Sequence, residues 1–398
     1  MTVIDKYSFS GKRALIRVDF NVPMNKETLT VTDNTRIKAA IPTIKKVLDA
    51  GGSVVLMSHM GRPKSGPEQK YSLENIVFEI EKELGQEVIF AGDCTGNNAF
   101  EITSNLKPGN VVLLENLRFY PQEKAGDKSF AEKLAKHGDL YINDAFGTAH
   151  RAHASTTVVA EFFPNDKMFG YLIEREIVSV DKVLNSSEKP LTAIVGGAKV
   201  SSKITIINKL IDKVDNLIIG GGMAYTFAKA NGGKVGNSLV EDDFLEMAKA
   251  IMSNAKTKGV NLLIPIDTVI ADSFSNDANI KSCSTDSIPN GWMGLDIAEE
   301  SITKFKRAVL DSKLILWNGP MGVFEKKNFE NGTKEIANLL SELKDENIIT
   351  IVGGGDSASA IRKFSNIENF THVSTGGGAS LELLSGKSLP AIEALGKL

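Results

Sequence analysis

LTAIVGGAKVSSKITII, residues 191–207, decides how the rest of this chain is read. Leu191–Val195 is an apolar, β-branched run, the pattern of a strand buried on both faces. Gly196-Gly197 interrupts the run, and a helix is expected from Ala198 onward. Lys199 and Lys203, four residues apart, then share one face of that helix near its start. A helix start presents unpaired N–H groups and the positive end of a dipole. Two ammonium groups added there make an anion site, most naturally for phosphate. Lysines at this spacing also form ordinary solvated helix faces, because Lys is rarely buried. Position favours the site: the pair follows the carboxyl end of a buried strand, where open α/β sheets hold their ligands.

Outward from this stretch, the second half of the chain repeats its plan. Asn216–Ile219, Asn261–Ile264, Lys313–Trp317 and Ile348–Val352 read as strands, most of them closed by glycine or polar residues before a helical pattern. The first half alternates in the same way. Arg13–Phe20, Ser53–Ser58, Val111–Glu115 and Leu140–Asn143 are strand-like, with helical patterns over Arg36–Ala50, Leu73–Leu84 and Ser129–His137. Such alternation predicts βαβ units and parallel sheets. Asp33 and Asn34 mark one helix start, and Gly51-Gly52 its end. A long helical pattern, Gly170–Leu184, precedes Lys189-Pro190 and is the expected domain linker. The domains expected are therefore 1–169, a connecting helix over 170–186, and 187–384. A tail, 385–398, carries Leu389, Ile392 and Leu395 and is expected to return to the first domain.

Length and composition agree with two such domains, since 398 residues exceed a single ordinary core. Hydrophobic content of 42% and charged content of 24% belong to a globular protein. A net charge of −3 and the lack of a polybasic block exclude general nucleic-acid or anionic-membrane binding, so any attraction for phosphate is local. Cys94 and Cys283 stand apart without metal-ligand spacing, which suits reduced thiols in the cytoplasm. The opening MTVIDKYSFSGKR has no signal-type apolar core, and no apolar run is long enough to span a bilayer.

The two halves differ in what they carry. Arg13, Arg17, Arg36, Arg62, Arg118, Arg151 and Arg175 precede the expected boundary, and only Arg307 and Arg362 follow it. Arg36, Arg62, Arg118 and Arg151 sit where apolar runs give way to loops or helix starts. Guanidinium forks at such places suit carboxylate and phosphate, although any single one is equally a surface salt-bridge partner. Glycine clusters divide the other way: Gly196-Gly197, Gly220-Gly221-Gly222, Gly353-Gly354-Gly355 and Gly376-Gly377-Gly378. These let backbone N–H groups approach a phosphate, or simply turn the chain. Neither G-x-x-x-x-G-K-[ST] nor a dinucleotide fingerprint occurs. Asp356 is open to two readings, a Mg²⁺ carboxylate beside nucleotide phosphates or a helix N-cap. The residues thus point to an anionic small molecule on one domain and a nucleotide phosphate on the other.

Eight stretches in order resemble the phosphoglycerate kinase family over the whole chain: RVDFNVP (17–23), SHMGRP (58–63), NDAFGTAHRAHAS (143–155), GGAKVSSK (196–203), GWMGLDI (291–297), WNGPMGVFE (317–325), GGGDS (353–357) and STGGGASLEL (374–383). The resemblance implies two Rossmann-like domains with parallel sheets facing across a hinged cleft. It implies reversible transfer of a phosphoryl group between 1,3-bisphosphoglycerate and ADP, with Mg²⁺, by a cytoplasmic monomer. By position, Asp19 and Asn21 would orient the glycerate. Arg36, His59, Arg62, Arg118 and Arg151 would form its basic patch, with Arg36 nearest the moving phosphoryl. Lys199 would follow that phosphoryl, and Lys203 and Asn318 would sit at the nucleotide phosphates with Gly354, Gly355, Asp356 and Ser357. Gly220, Gly221, Gly294, Leu295, Pro320 and Val323 would line the adenine pocket, and Glu325 would take the ribose. Gly353 and Gly376 would offer N–H groups to the phosphoryl. Met60, Ser357 and Ala298-Glu299 are small departures from the family pattern.

The chemistry so implied needs no general base, because the acceptor is a carboxylate already ionised at neutral pH. His59 is then a hydrogen-bond partner. His150 and His153 are poor cation ligands beside Arg151. What is left to the protein is alignment and charge stabilisation with water excluded, which requires closure about the linker helix. A nucleotide-dependent dehydrogenase would need the missing fingerprint, and a non-catalytic scaffold would lack one of the two charged sets.

Overall fold

The computed structural model describes residues 4–64, 66–374 and 376–396. The outermost residues of the expected first domain and tail (1–3 and 397–398), and Thr375 within STGGGASLEL, lie outside that range. Two compact units divide the chain, Met1–Val178 with Ser388–Leu398, and Ser179–Lys387. Among the described residues no helix is long and apolar enough to cross a membrane.

The first unit is built on a parallel sheet of β1 (Arg13–Val18), β2 (Ser53–Met57), β3 (Ile89–Phe90), β4 (Val111–Leu113), β5 (Leu140–Asp144) and β6 (Lys167–Phe169). Their spatial order is β3-β4-β2-β1-β5-β6. β1 pairs in parallel with β2, Arg13 opposite Ser53, and with β5, Ala14 opposite Leu140. Between β1 and β5 the direction of winding reverses, the place where such sheets open a crevice at their carboxyl ends. Helices Thr35–Asp49 and Val77–Leu84 bury Ile37, Ile44, Ile80 and Leu84 in the same core as Ile16, Val54 and Ile142. The short helix Pro390–Leu395 packs beside β6, with Leu389 and Ala391 fully buried and Ala391 N–H bonded to Ala149 O at 3.1 Å.

The second unit repeats the architecture, with β7 (Leu191–Val195) in the middle of its sheet and β8 (Asn216–Ile219) beside it. Its parallel sheet runs Asn261–Leu263, β8, β7, Leu314–Asn318, Ile349–Gly353, His372–Val373. β7 has no polar alternation because both faces are covered. Leu191, Ala193 and Val195 enter a core with Leu217 and Leu316, while Ile194 enters another with Ile218 and Trp317.

One reading from sequence needs correction, and one feature goes beyond it. Residues 198–203 are turns, and the helix begins only at Ile204, so Lys199 and Lys203 do not share a helical face. Ser201 gives its N–H and hydroxyl to Glu241, at 2.9 and 2.6 Å, and Ser202 bonds back to Lys199 O at 2.8 Å. Such side-chain bonds compete with helix formation. The second unit also contains an antiparallel sheet of Asp267–Ala271, Ile280–Ser284 and Met293–Ile297. Ile280–Ser284 is a largely exposed edge strand with no apolar alternation to announce it.

Candidate active site

In the first unit, Arg36, Arg62, Arg118 and Arg151 all lie beyond carboxyl ends of sheet strands, the last three after short connections and Arg36 at a helix start after the longer segment 19–34. Arg36, in the first turn of Thr35–Asp49, bonds through Nη1 to Asp19 Oδ2 at 2.9 Å and Asn21 O at 3.1 Å. Asn21 Oδ1 accepts from Gly61 N at 2.8 Å, fixing the loop that carries Arg62. Arg118 Nη1 bonds Gly61 O at 2.6 Å, and buried Asn116 ties that loop to Met60 and Tyr71 carbonyls, both at 2.8 Å. Burial, then the charge of Arg151, brings the Arg118 guanidinium down to about 10. Arg62 is exposed and makes no ion pair among the described residues.

His59 is the point on which these cations converge. It is 4% exposed, and burial followed by the charges of Arg17, Arg118, Arg151 and Arg36 holds it well below its ordinary value. It is therefore neutral at physiological pH. Arg17 Nη2 reaches His59 Nδ1 at 3.2 Å and donates to it, which leaves the proton on Nε2. His153, 3.8 Å from Glu123, is lowered to about 4 by burial and neighbouring arginines. Among the described residues no group of His, Cys, Asp or Glu is placed to hold a metal unaided.

The sequence reading assigned Arg17 no role, yet it anchors this wall. Fully buried, it donates through Nε to Ser155 Oγ at 2.9 Å and through Nη1 to Val18 O. Ser155 in turn gives its hydroxyl to buried Glu123 at 2.5 Å and its N–H at 2.9 Å. The available signal was a charge inside the apolar run of β1, which is affordable in a core only with a partner.

The second unit carries a pocket of about 470 Å³. Gly221, Gly294, Leu295, Pro320, Val323, Glu325 and Asp356 line it, as the sequence reading expected of a nucleotide pocket. So do Tyr225, Asn237, Leu239 and Phe274, which no sequence signal marked. Leu239 and Phe274 are 48% and 57% exposed, an apolar wall open to a planar ligand. Gly220 is not among the lining residues and instead packs against Met321, where a Cβ would meet Sδ at 2.4 Å.

The residues expected from sequence at the phosphates lie near the ends of β7, Leu314–Asn318 and Ile349–Gly353. Lys203 Nζ bonds Asn318 Oδ1, while Asn318 Nδ2 is buried without a hydrogen-bond partner among the described residues. Burial lowers the Lys203 ammonium to about 8, partly offset by Asp356. Lys199 is exposed on the turn. Gly354, at φ +93° in a conformation open to glycine, is the N-cap of helix Gly355–Phe364. Asp356 is thus not the cap but a first-turn residue with an exposed carboxylate. Ser357 is buried, its Oγ accepting from Gly319 N at 2.6 Å. Gly376 N–H donates to Ser374 Oγ at 3.0 Å, so it is not free as expected. Gly353 closes its strand opposite Asn318.

The chain as a whole is similar to known proteins. The profile of the family described as phosphoglycerate kinase matches residues 4–387. The chain is 53% identical to the chloroplastic phosphoglycerate kinase of Volvox carteri over 98% of its length and 85% of that protein. It is 48% identical to the phosphoglycerate kinase of Porphyromonas gingivalis, covering 98% and 99% of the two chains. The structure of phosphoglycerate kinase from Coxiella burnetii superposes with a TM-score of 0.87 at 37% identity, over 98% and 97% of the chains.

Proposed function

This chain belongs to the phosphoglycerate kinase family, and from that premise we propose how its residues share the work of the family's reaction. The reaction is the reversible phosphoryl transfer of glycolysis, between 1,3-bisphosphoglycerate and ADP on one side and 3-phosphoglycerate and ATP on the other. The triose acid is held by Arg36, Arg62, Arg118, Arg151 and His59, with Asp19 and Asn21 setting its orientation. One observation carries this: three of those guanidinium groups surround a buried, neutral imidazole whose free Nε2–H is a donor of fixed tautomer.

The nucleotide occupies the pocket of Gly221, Gly294, Leu295, Pro320 and Val323, with Gly220 behind its wall and Glu325 toward the ribose. Lys203, Asn318, Gly354, Gly355 and Ser357 organise the phosphate end, Ser357 by fixing the backbone at Gly319. The exposed Asp356 carboxylate fits Mg²⁺, which takes one or two carboxylates and completes its shell with water and phosphate oxygens. When bound, the ion neutralises charge between the phosphates.

In the synthesis of 1,3-bisphosphoglycerate the acceptor carboxylate attacks in line and no proton is removed. Arg36, Lys199 and the N–H of Gly353 stabilise the equatorial oxygens. The N–H of Gly376 joins them once its bond to Ser374 is exchanged. Because acid and nucleotide are bound on different units, the units must close together before transfer, with water excluded. The free thiols of Cys94 and Cys283 support a cytoplasmic setting, and we read the working form as a monomer. Small-angle scattering tests the closure: compaction is expected only with 3-phosphoglycerate and a MgATP analogue together. An unchanged radius of gyration with both ligands would sink it.

A further inference from the structure

Helix Tyr171–Asn185 crosses the boundary between the two units at Val178–Ser179. Its first turn is held by side chains of the first unit, and these come from elements that also carry the cationic wall. Asp144, the last residue of β5, is fully buried. Its Oδ1 accepts from Leu172 N at 2.8 Å and Ile173 N at 3.3 Å, two N–H groups that a helix start leaves unpaired. Tyr171 N donates instead to Thr43 Oγ1 at 3.0 Å, and Thr43 also faces the Asp144 carboxyl. Thr43 is buried on the helix whose first turn bears Arg36, and the chain leaving Asp144 reaches Arg151 within seven residues.

The fit is close. Gly170 N bonds Asn143 O at 2.8 Å, and a Cβ on Gly170 would fall 2.3 Å from Asp144 Cγ. Among the described residues Asp144 Oδ2 has no hydrogen-bond partner. A buried polar atom left unpaired costs stability, yet an apolar side chain here would strip Leu172 N and Ile173 N of their acceptor, so the carboxyl is tied to the first turn of the linker helix. Oδ2, buried beside the Thr43 hydroxyl, leaves the junction with a group able to take a new partner when the helix moves.

We propose that Asp144 and Thr43 form a joint that couples occupation of the cationic wall to the setting of the linker helix, Asp144 acting as a positioning residue. The inference rests on the closure reading above. Anion binding draws Arg36 and Arg151 inward on the helix and loop that hold these two side chains, and the linker's first turn follows.

The test compares Asp144→Ala, Asp144→Asn and Thr43→Val with the unmodified chain, by steady-state kinetics and by scattering with both ligands. For Asp144→Ala we expect KM for both substrates within about twofold, kcat lower by about tenfold, the cost of a lost cap, and no ligand-driven compaction. Asp144→Asn keeps Oδ1 and is expected to restore both kcat and compaction. Asp144→Ala with ordinary kcat and compaction overturns the proposal, as does equal impairment of the Ala and Asn variants. Should Asp144→Ala fail to fold, Thr43→Val carries the same two readouts. An unmodified chain that does not compact removes the closure reading itself, a result distinct from failure of the joint.

Discussion

Lys199 and Lys203 show how differently two lysines of one short stretch can be used. Lys199 stands exposed ahead of the helix, its backbone held by Ser202 but its side chain without a hydrogen-bond partner among the described residues, which suits a group that must accompany a moving phosphoryl. Lys199→Ala is expected to lower kcat by about 10²–10³-fold, with little change in KM for MgATP. A variant with ordinary kcat would return this lysine to a solvated surface role. Lys203 is half-buried and held at Asn318, its ammonium lowered to about 8. It carries its charge below that pH and loses it above. KM for MgATP is therefore expected to rise as pH passes 8, and Lys203→Arg, which stays charged, should remove the inflection. The profile is measured at saturating 3-phosphoglycerate; a flat wild-type profile from pH 7 to 9 would contradict it. Arg17 belongs at this scale too, because the tautomer of His59 depends on it.

At the level of elements, the chain uses buried carboxyls to secure helix starts next to binding loops. Asp144 does so for the linker helix, and Asp296 for Asn331–Glu342, accepting from Gly332 N at 2.8 Å and Ile297 N at 2.9 Å. Burial pushes both up to about 7. An acid raised in the folded state holds a proton that the unfolded chain has released. Its contribution is fully present below the ordinary carboxyl value near 4 and is lost as pH rises through 7. Unfolding free energy is thus expected to fall by a few kcal/mol between pH 4.5 and 8 from these two groups. Asp144→Asn, which keeps the accepting oxygen, should flatten part of that slope. Urea unfolding at several pH values decides it, and an unaltered slope in the variant would argue against the assignment. The expected helix after Gly197 failed for a local reason: serines bonding to Glu241 and to their own backbone outweighed helical propensity.

For the whole molecule, two units each own a sheet and a core, yet the first is completed by the end of the chain. Leu389 and Ala391 are fully buried there and Leu395 nearly so. Each buried leucine contributes roughly 2 kcal/mol, so ending the chain at Lys387 should lower the stability of the first unit by about 3–5 kcal/mol. Calorimetry is expected to show its transition moving below that of the second unit; an unshifted first transition would refute the dependence. Much of this plan was legible beforehand. The strands Leu191–Val195 and Asn216–Ile219 were read to the residue, and four arginines were rightly placed after sheet strands, because burial on both faces and strand-end loops leave their mark in local composition. Local composition also carried the glycine clusters and the motifs of the family. Partnership between distant residues left no such mark. That Arg17 meets His59 and Ser155, that Phe274 joins Leu239 at one pocket, and that Asp144 caps a helix beginning at Tyr171 follow from packing, which is set by where elements meet and not by what any one of them contains.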